Sequence, residues 1–109
     1  MALKGVITER KAYVVRLQAK SSNYGQAALV HGWLPKDGRA PISVGPDFVA
    51  PGLSGDQPSI APARAEYHAL RVDVDLPDAG GGVLSVSQDN QVLAQEAISS
   101  DTVWLFQLV

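Results

Sequence analysis

Strict alternation of apolar and polar residues is the feature that most constrains the fold of this chain. Between Lys11 and Lys20, one set of alternate positions holds Tyr13, Val15, Leu17 and Ala19. Between Glu66 and Leu76, the same pattern is carried by Leu70, Val72, Val74 and Leu76. Because successive side chains of a β-strand point to opposite faces, this period of two predicts two half-buried strands.

Four further segments predict strands, and turn-forming residues separate most of them. They are residues 26–34, 83–87, 91–98 and 102–109. Asp89 and Asn90 predict a tight hairpin turn between the second and third of these segments. The alternative is a short helix over the third segment, capped by Asp89. We expect the hairpin, because predicted strands flank the segment on both sides.

Residues 40–63 differ in composition from the rest of the chain. They contain five prolines, three glycines and only two charged residues, Asp47 and Asp56. Proline excludes a regular helix and a central strand from this segment. Its apolar residues nevertheless favour an ordered arm over a disordered one. We therefore expect a long Pro/Gly-rich loop that packs on the domain, with short edge strands near residues 42–44 and 47–49.

Six or more short strands in 109 residues predict an all-β fold. We expect a single domain over residues 1–109 that forms an antiparallel β-sandwich of immunoglobulin-like or jelly-roll type. The strand pattern does not separate these two types. A hydrophobic fraction of 46% makes one packed core plausible.

The chain carries few charges. Only 18% of its residues are charged, and the formal net charge is −2. A small soluble monomer normally carries more charge on its surface. Either an oligomeric surface or a surface rich in Ser, Gln, Asn and Gly accounts for this, and we expect a homo-oligomer.

Composition also argues against several function classes. Without cysteine there is no disulfide framework, thiolate metal site or thiol nucleophile. Nucleic-acid binding is not expected, because Arg10 and Lys11 form the only adjacent basic pair. No apolar run approaches the length of a membrane span. The first ten residues lack the apolar core of a signal peptide, which predicts a cytoplasmic protein, a virion component or a chain whose leader was removed.

Two histidines are the candidates for catalysis or metal binding. His31 shares a strand face with Trp33, where it is a general base, a metal ligand or a packed core residue. His68 shares a face with Glu66, but two ligands do not make a metal site. No Gly-x-Ser-x-Gly motif is present to mark a serine nucleophile. We assign no catalytic residue and no cofactor, and we keep a small hydrolase or metal-dependent enzyme that uses His31 or His68 as an alternative.

Three aspartates resemble the start of a calcium loop. They are Asp73, Asp75 and Asp78. Calcium loops cluster carboxylates on a tight turn, with an anchoring acid further along the chain. Here Asp73 and Asp75 belong to a regular strand, and the three glycines after Asp78 bring no further acid. We therefore expect a solvated strand face at this point and assign no metal.

Aromatic residues near turns and strand ends suggest carbohydrate binding. In this interpretation Trp33 stacks on a sugar ring together with Tyr24 or Tyr67, and Asp37 or Asp47 accepts hydroxyl protons. The competing interpretation is that Trp33 is a core anchor, as large aromatic residues usually are. A lectin-like module built on Trp33 is therefore the second hypothesis.

The leading hypothesis is a non-enzymatic, self-associating binding or assembly module. Segment 102–109 is apolar on both faces, which is typical of a strand that is central in a sandwich or lies in an interface. We expect an interface that combines the proline-rich arm with this last strand. Its expected residues are Phe48, Val49, Leu53, Trp104 and Phe106. A carbohydrate or a different protein is the other kind of partner considered.

Overall fold

A computed structural model of the chain describes residues 3–20, 26–77 and 81–109. Within these ranges it contains nine β-strands and no helix, and hence no helix that is long and apolar enough to cross a membrane. The strands are β1 (Leu3–Ile7), β2 (Ala12–Ala19), β3 (Ala27–Pro35), β4 (Ile42–Val49), β5 (Ser54–Ile60), β6 (Tyr67–Asp75), β7 (Gly82–Gln88), β8 (Gln91–Ile98) and β9 (Thr102–Leu108).

The strands form two sheets that pack face to face. The larger sheet has five strands in the order β1-β9-β6-β3-β4, and the smaller sheet has four strands in the order β5-β2-β7-β8. Neighbouring strands are antiparallel, except that β1 and β9 run parallel. The prediction of an all-β antiparallel sandwich is confirmed.

The core consists of the apolar faces that the alternation predicted. The smaller sheet contributes Tyr13, Val15 and Leu17 of β2 to this core, and the larger sheet contributes Leu70 and Val72 of β6. In β9 the buried residues are Trp104, Phe106 and Leu108. All of these side chains belong to a single hydrophobic cluster between the sheets. β9 lies between β1 and β6, as the first of the two interpretations of its apolar faces requires.

The segment after β7 forms a hairpin. Asp89 and Asn90 have φ angles of 52° and 61°, and positive φ at both central residues is the property of a type I′ turn. Such a turn has the same right-handed twist as the strands that it joins. The strands β7 and β8 pair from Gln88 and Gln91 onwards. The hairpin prediction is therefore confirmed over the short helix.

The proline-rich segment contains two edge strands where its composition predicted a long loop with short strands. The two short strands expected near residues 42–44 and 47–49 are one strand, β4, which carries a bulge opposite His31 and Gly32. The second strand, β5, was not predicted. Since β4 pairs only with β3 and β5 only with β2, Pro46 and Pro58 lie in edge strands, which tolerate proline.

The sequence patterns do not predict the first strand, β1, either. Residues 3–7 show no regular alternation of burial, because a register shift at Lys4 interrupts the pairing of β1 with β9. Only Ile7 is fully buried in this short strand. β1 pairs in parallel with β9, which lies far away in the sequence. A contact of this kind leaves no pattern in the residues of β1 itself.

Candidate functional site

A buried chain of hydrogen bonds joins the two sheets around His31. The hydroxyl of Tyr13 lies 2.8 Å from Nε2 of His31. Nδ1 of His31 lies 2.8 Å from Oε1 of Gln57. The amide nitrogen of Gln57 donates to the main-chain carbonyls of Leu29, at 3.0 Å, and Gly45, at 3.1 Å. Because Tyr13 and Gln57 belong to the smaller sheet and the others to the larger one, this chain connects the sheets.

These contacts define the protonation of His31. The amide group of Gln57 uses its hydrogens on two carbonyls, so its oxygen accepts the proton on Nδ1. Nε2 is then unprotonated and accepts a hydrogen bond from Tyr13. Burial lowers the pKa of His31 below its ordinary value of 6.5, since desolvation disfavours the charged imidazolium. Burial likewise raises the pKa of the Tyr13 hydroxyl.

His31 is therefore a neutral core residue that is 1% exposed. Both of its ring nitrogens are hydrogen-bonded to protein groups, Nε2 to Tyr13 and Nδ1 to Gln57. Tyr13 and Trp33 also pack edge to face, with ring centroids 5.7 Å apart. The chemical role of this cluster is to satisfy polar groups inside the sandwich.

The other candidate metal ligands lie apart from His31. His68 is an exposed residue of β6. Asp73 accepts a hydrogen bond from Nε of Arg71 at 3.0 Å, and Asp75 is exposed at the end of the same strand. Asp78 lies outside the described residues. Among residues 3–20, 26–77 and 81–109, no group of three or more histidine, aspartate or glutamate side chains comes together.

Those residues of the carbohydrate hypothesis that the structure describes, namely Trp33, Asp37, Asp47 and Tyr67, do not form one platform. Trp33 is 4% exposed and contributes to the core, so its ring offers no free face to a sugar. Asp37 pairs with Arg39 at 2.7 Å, and this guanidinium holds the pKa of Asp37 below its usual range.

Asp47 lies elsewhere in the sheet. It pairs with Leu29, four residues before Trp33 along β3, or about 13 Å away at the rise of a strand. Tyr67 is half-buried at the start of β6. Tyr24 lies outside the described residues. The candidates are thus spread over two ends of the sheet.

The expected interface residues divide into two groups. Phe48 and Leu53 are 64% and 61% exposed. Val49, Trp104 and Phe106 are buried in the core, and therefore have almost no surface for a second chain. The reason is the register of β9, which turns its two large aromatic residues toward the other sheet.

The residues of β9 that point outward are Val103 and Leu105, both half-buried, and the exposed Gln107. They belong to a largely apolar surface that we call the outer face: the side chains of the five-stranded sheet that point away from the four-stranded sheet. Its main apolar members, taken from the strand registers, are Leu3, Val6, Val30, Phe48, Val103 and Leu105. Leu3, Val6 and Phe48 are each at least half exposed.

A single ion pair lies near the middle of the outer face. Arg71 and Asp73 belong to β6, the central strand of the five, and both are partly exposed. In the two cross-strand rows that contain them, the remaining described positions are Leu3, Val30, Gly32, Ser43, Pro46, Val103 and Leu105. These rows hold no other charge. The sequence predicts a solvated strand face at Asp73 and Asp75, but it does not show that Asp73 lies among apolar neighbours.

A depression of about 150 Å³ lies beside this ion pair. It is bordered by Val30, Pro41 and the Arg71–Asp73 pair and lies over Gly32. At Gly32 the backbone of β4 comes so close that an added Cβ would lie 2.7 Å from the carbonyl oxygen of Ile42. Gly32 therefore permits the close approach of β4 as well as the hollow in the outer face.

Comparison of the chain with protein-family models, with curated proteins and with solved structures gives no match.

Proposed function

We propose that this protein is a non-enzymatic module that assembles with copies of itself. The observation that carries the proposal is the outer face, on which apolar residues of β1, β3, β4 and β9 surround one ion pair. Large apolar patches on small proteins usually mark interaction surfaces, because leaving them in water forfeits about 25 cal/mol for each Å². Association would remove this surface from water.

The low charge of the chain supports the same proposal. With 18% charged residues, the chain has few groups that would keep apolar faces of two copies apart.

The two alternatives receive no support from their key residues. A carbohydrate-binding module would need an exposed ring at Trp33, and a hydrolase or metal enzyme would need an accessible nitrogen at His31. Both side chains are buried. The exposed His68 has no cluster of metal-ligating side chains around it in the described part of the chain.

Analytical ultracentrifugation of the full chain at micromolar concentration tests the proposal. We expect the wild-type protein to sediment as a dimer or larger species, and Leu105→Lys to sediment as a monomer, because it places a charge on the outer face. The matched control is Val83→Lys, which changes a half-buried outward residue of the four-stranded sheet and should leave association unchanged. A wild-type protein that stays monomeric at micromolar concentration would contradict the proposal.

A further inference from the structure

We infer that two copies of the chain pack outer face against outer face, related by a two-fold axis that crosses the strands at Val72. This inference rests on the proposed function, and it adds the partner, the surface and the symmetry. In such an isologous contact, each copy presents the same patch to the other. The patch must therefore be complementary to itself.

The ion pair of the outer face meets this requirement in one orientation, in which Asp75, the third charge on this face of β6, lies opposite Ala69 of the second copy. Arg71 and Asp73 lie on either side of Val72 in β6. An axis that crosses the strands at Val72 exchanges the two positions, so Arg71 of one copy faces Asp73 of the second copy. An axis along the strands would instead place like charges opposite each other, which costs several kcal/mol in a contact. Charge complementarity therefore selects the axis across the strands.

The apolar residues fit the same axis. Val72 pairs with His31 on one side and Trp104 on the other, so the axis also passes these two positions. It then exchanges Val30 with Gly32, which brings the Val30 side chain of one copy toward the depression over Gly32 in the second copy. It also exchanges Val103 with Leu105, which places two apolar side chains against each other.

The size of the outer face is sufficient for a specific contact. Five strands spaced by about 4.8 Å and seven residues with a rise of about 3.3 Å span about 550 Å² in each copy. Two such faces bury about 1,100 Å², which is at the lower end of specific protein interfaces. A dimer with an affinity in the micromolar range is the expected result.

The sheet edges favour contact through a face over contact through strand addition. Pro46 and Pro58 lie in the edge strands β4 and β5 and cannot donate a main-chain hydrogen bond. At the opposite edges, Lys4 of β1 and Glu96 of β8 form an ion pair at 3.1 Å that spans the side of the sandwich. Charged residues of this kind oppose the addition of a further strand.

A charge-reversal experiment in trans tests the geometry. Arg71→Asp and Asp73→Arg are prepared as separate full-length proteins, and their association is measured by sedimentation alone and in an equimolar mixture. Each variant alone should associate at least about tenfold more weakly than wild type, because like charges then face each other. The mixture should recover wild-type association as a heterodimer. Neither variant retains the ion pair within its own chain, so recovery must come from contact between chains.

The matched control is the ion pair of the other sheet. Arg16 and Asp56 pair at 2.7 Å on the outward side of the four-stranded sheet. Arg16→Asp and Asp56→Arg, alone or mixed, should associate as the wild type does. Circular dichroism of every variant verifies that each is folded.

The outcomes separate this inference from the proposed function. If the wild type self-associates but the Arg71 and Asp73 variants associate equally well, or if their mixture recovers nothing, the two-fold geometry is wrong and self-association stands. If the wild type is a monomer, both the two-fold geometry and the proposed self-association are contradicted.

Discussion

At the level of single residues, the main finding is that His31 is buried in the core. Its imidazole is held by Tyr13 and Gln57 inside the sandwich, and both ring nitrogens have partners. A histidine beside a tryptophan on a strand is equally consistent with a catalytic role when only the sequence is known. What decides between the two is burial, which depends on residues far away in the chain.

The burial of His31 predicts that stability falls in mild acid. Its pKa is lowered in the folded protein, whereas the unfolded chain has the ordinary value of 6.5. Above pH 6.5 the residue is neutral in both states and its contribution is complete. As the pH falls from 6.5 toward the lowered pKa, the unfolded chain binds more protons, and stability is lost at up to about 1.4 kcal/mol for each pH unit. Urea denaturation at a series of pH values from about 8 to about 5 measures this change in the free energy of unfolding.

Two variants assign this pH dependence to one residue. His31→Gln should remove most of the slope, whereas His68→Gln, which changes an exposed histidine, should retain it. A slope that persists in folded His31→Gln would contradict the assignment.

The hydrogen bond from Tyr13 predicts a second effect at this scale. Tyr13→Phe leaves Nε2 of His31 without its donor in the core, and an unsatisfied buried acceptor costs about 1–3 kcal/mol. Chemical denaturation should show this loss in the free energy of unfolding. Tyr67→Phe is the control, since Tyr67 is only half-buried. Equal losses in the two variants would mean that the hydroxyl of Tyr13 has no special role.

At the scale of elements, the strands differ in how they tolerate the sequence they carry. The edge strands β4 and β5 accommodate proline because each has only one neighbour. The central strands carry the regular alternation of apolar and polar residues. Each of them is paired along both edges, with one face toward the core and the other away from it. The junction between β3 and β4 is a place of close backbone packing, at Gly32.

The close approach of β4 to Gly32 predicts the effect of adding a side chain at this position. Gly32→Ala places a methyl group 2.7 Å from a main-chain oxygen of β4, which cannot rotate away as a side chain would. We expect a loss of about 1–3 kcal/mol as β4 shifts outward, measured by thermal or chemical unfolding. Gly5→Ala is the matched control, because a Cβ there would lie at an ordinary 3.6 Å from Phe106. Similar stability of the two variants would show that the edge strand adapts freely.

At the scale of the whole molecule, the two outward surfaces of the sandwich are unlike. The outward side of the five-stranded sheet carries one ion pair among apolar residues, whereas that of the four-stranded sheet mixes polar residues such as Gln18, Ser85 and Gln95 with exposed apolar ones such as Ile60 and Val92. Small polar side chains therefore account for part of the low charge on the four-stranded sheet, and contact with a second copy is the explanation proposed for the other sheet. The Leu105→Lys and Val83→Lys pair of variants compares these two surfaces directly.

Local sequence patterns predict the all-β class, six of the nine described strands, the buried faces of β2 and β6 and the hairpin at Asp89 and Asn90. These features are local, because the period of two and the turn conformation depend on neighbouring residues only. Tertiary structure alone decided the strand order, the parallel pairing of β1, the assignment of β5 as an edge strand and the burial of Trp33, Trp104 and Phe106. Alternation shows which residues share a face, but whether a face meets the other sheet or the surroundings is decided by contacts between distant parts of the chain.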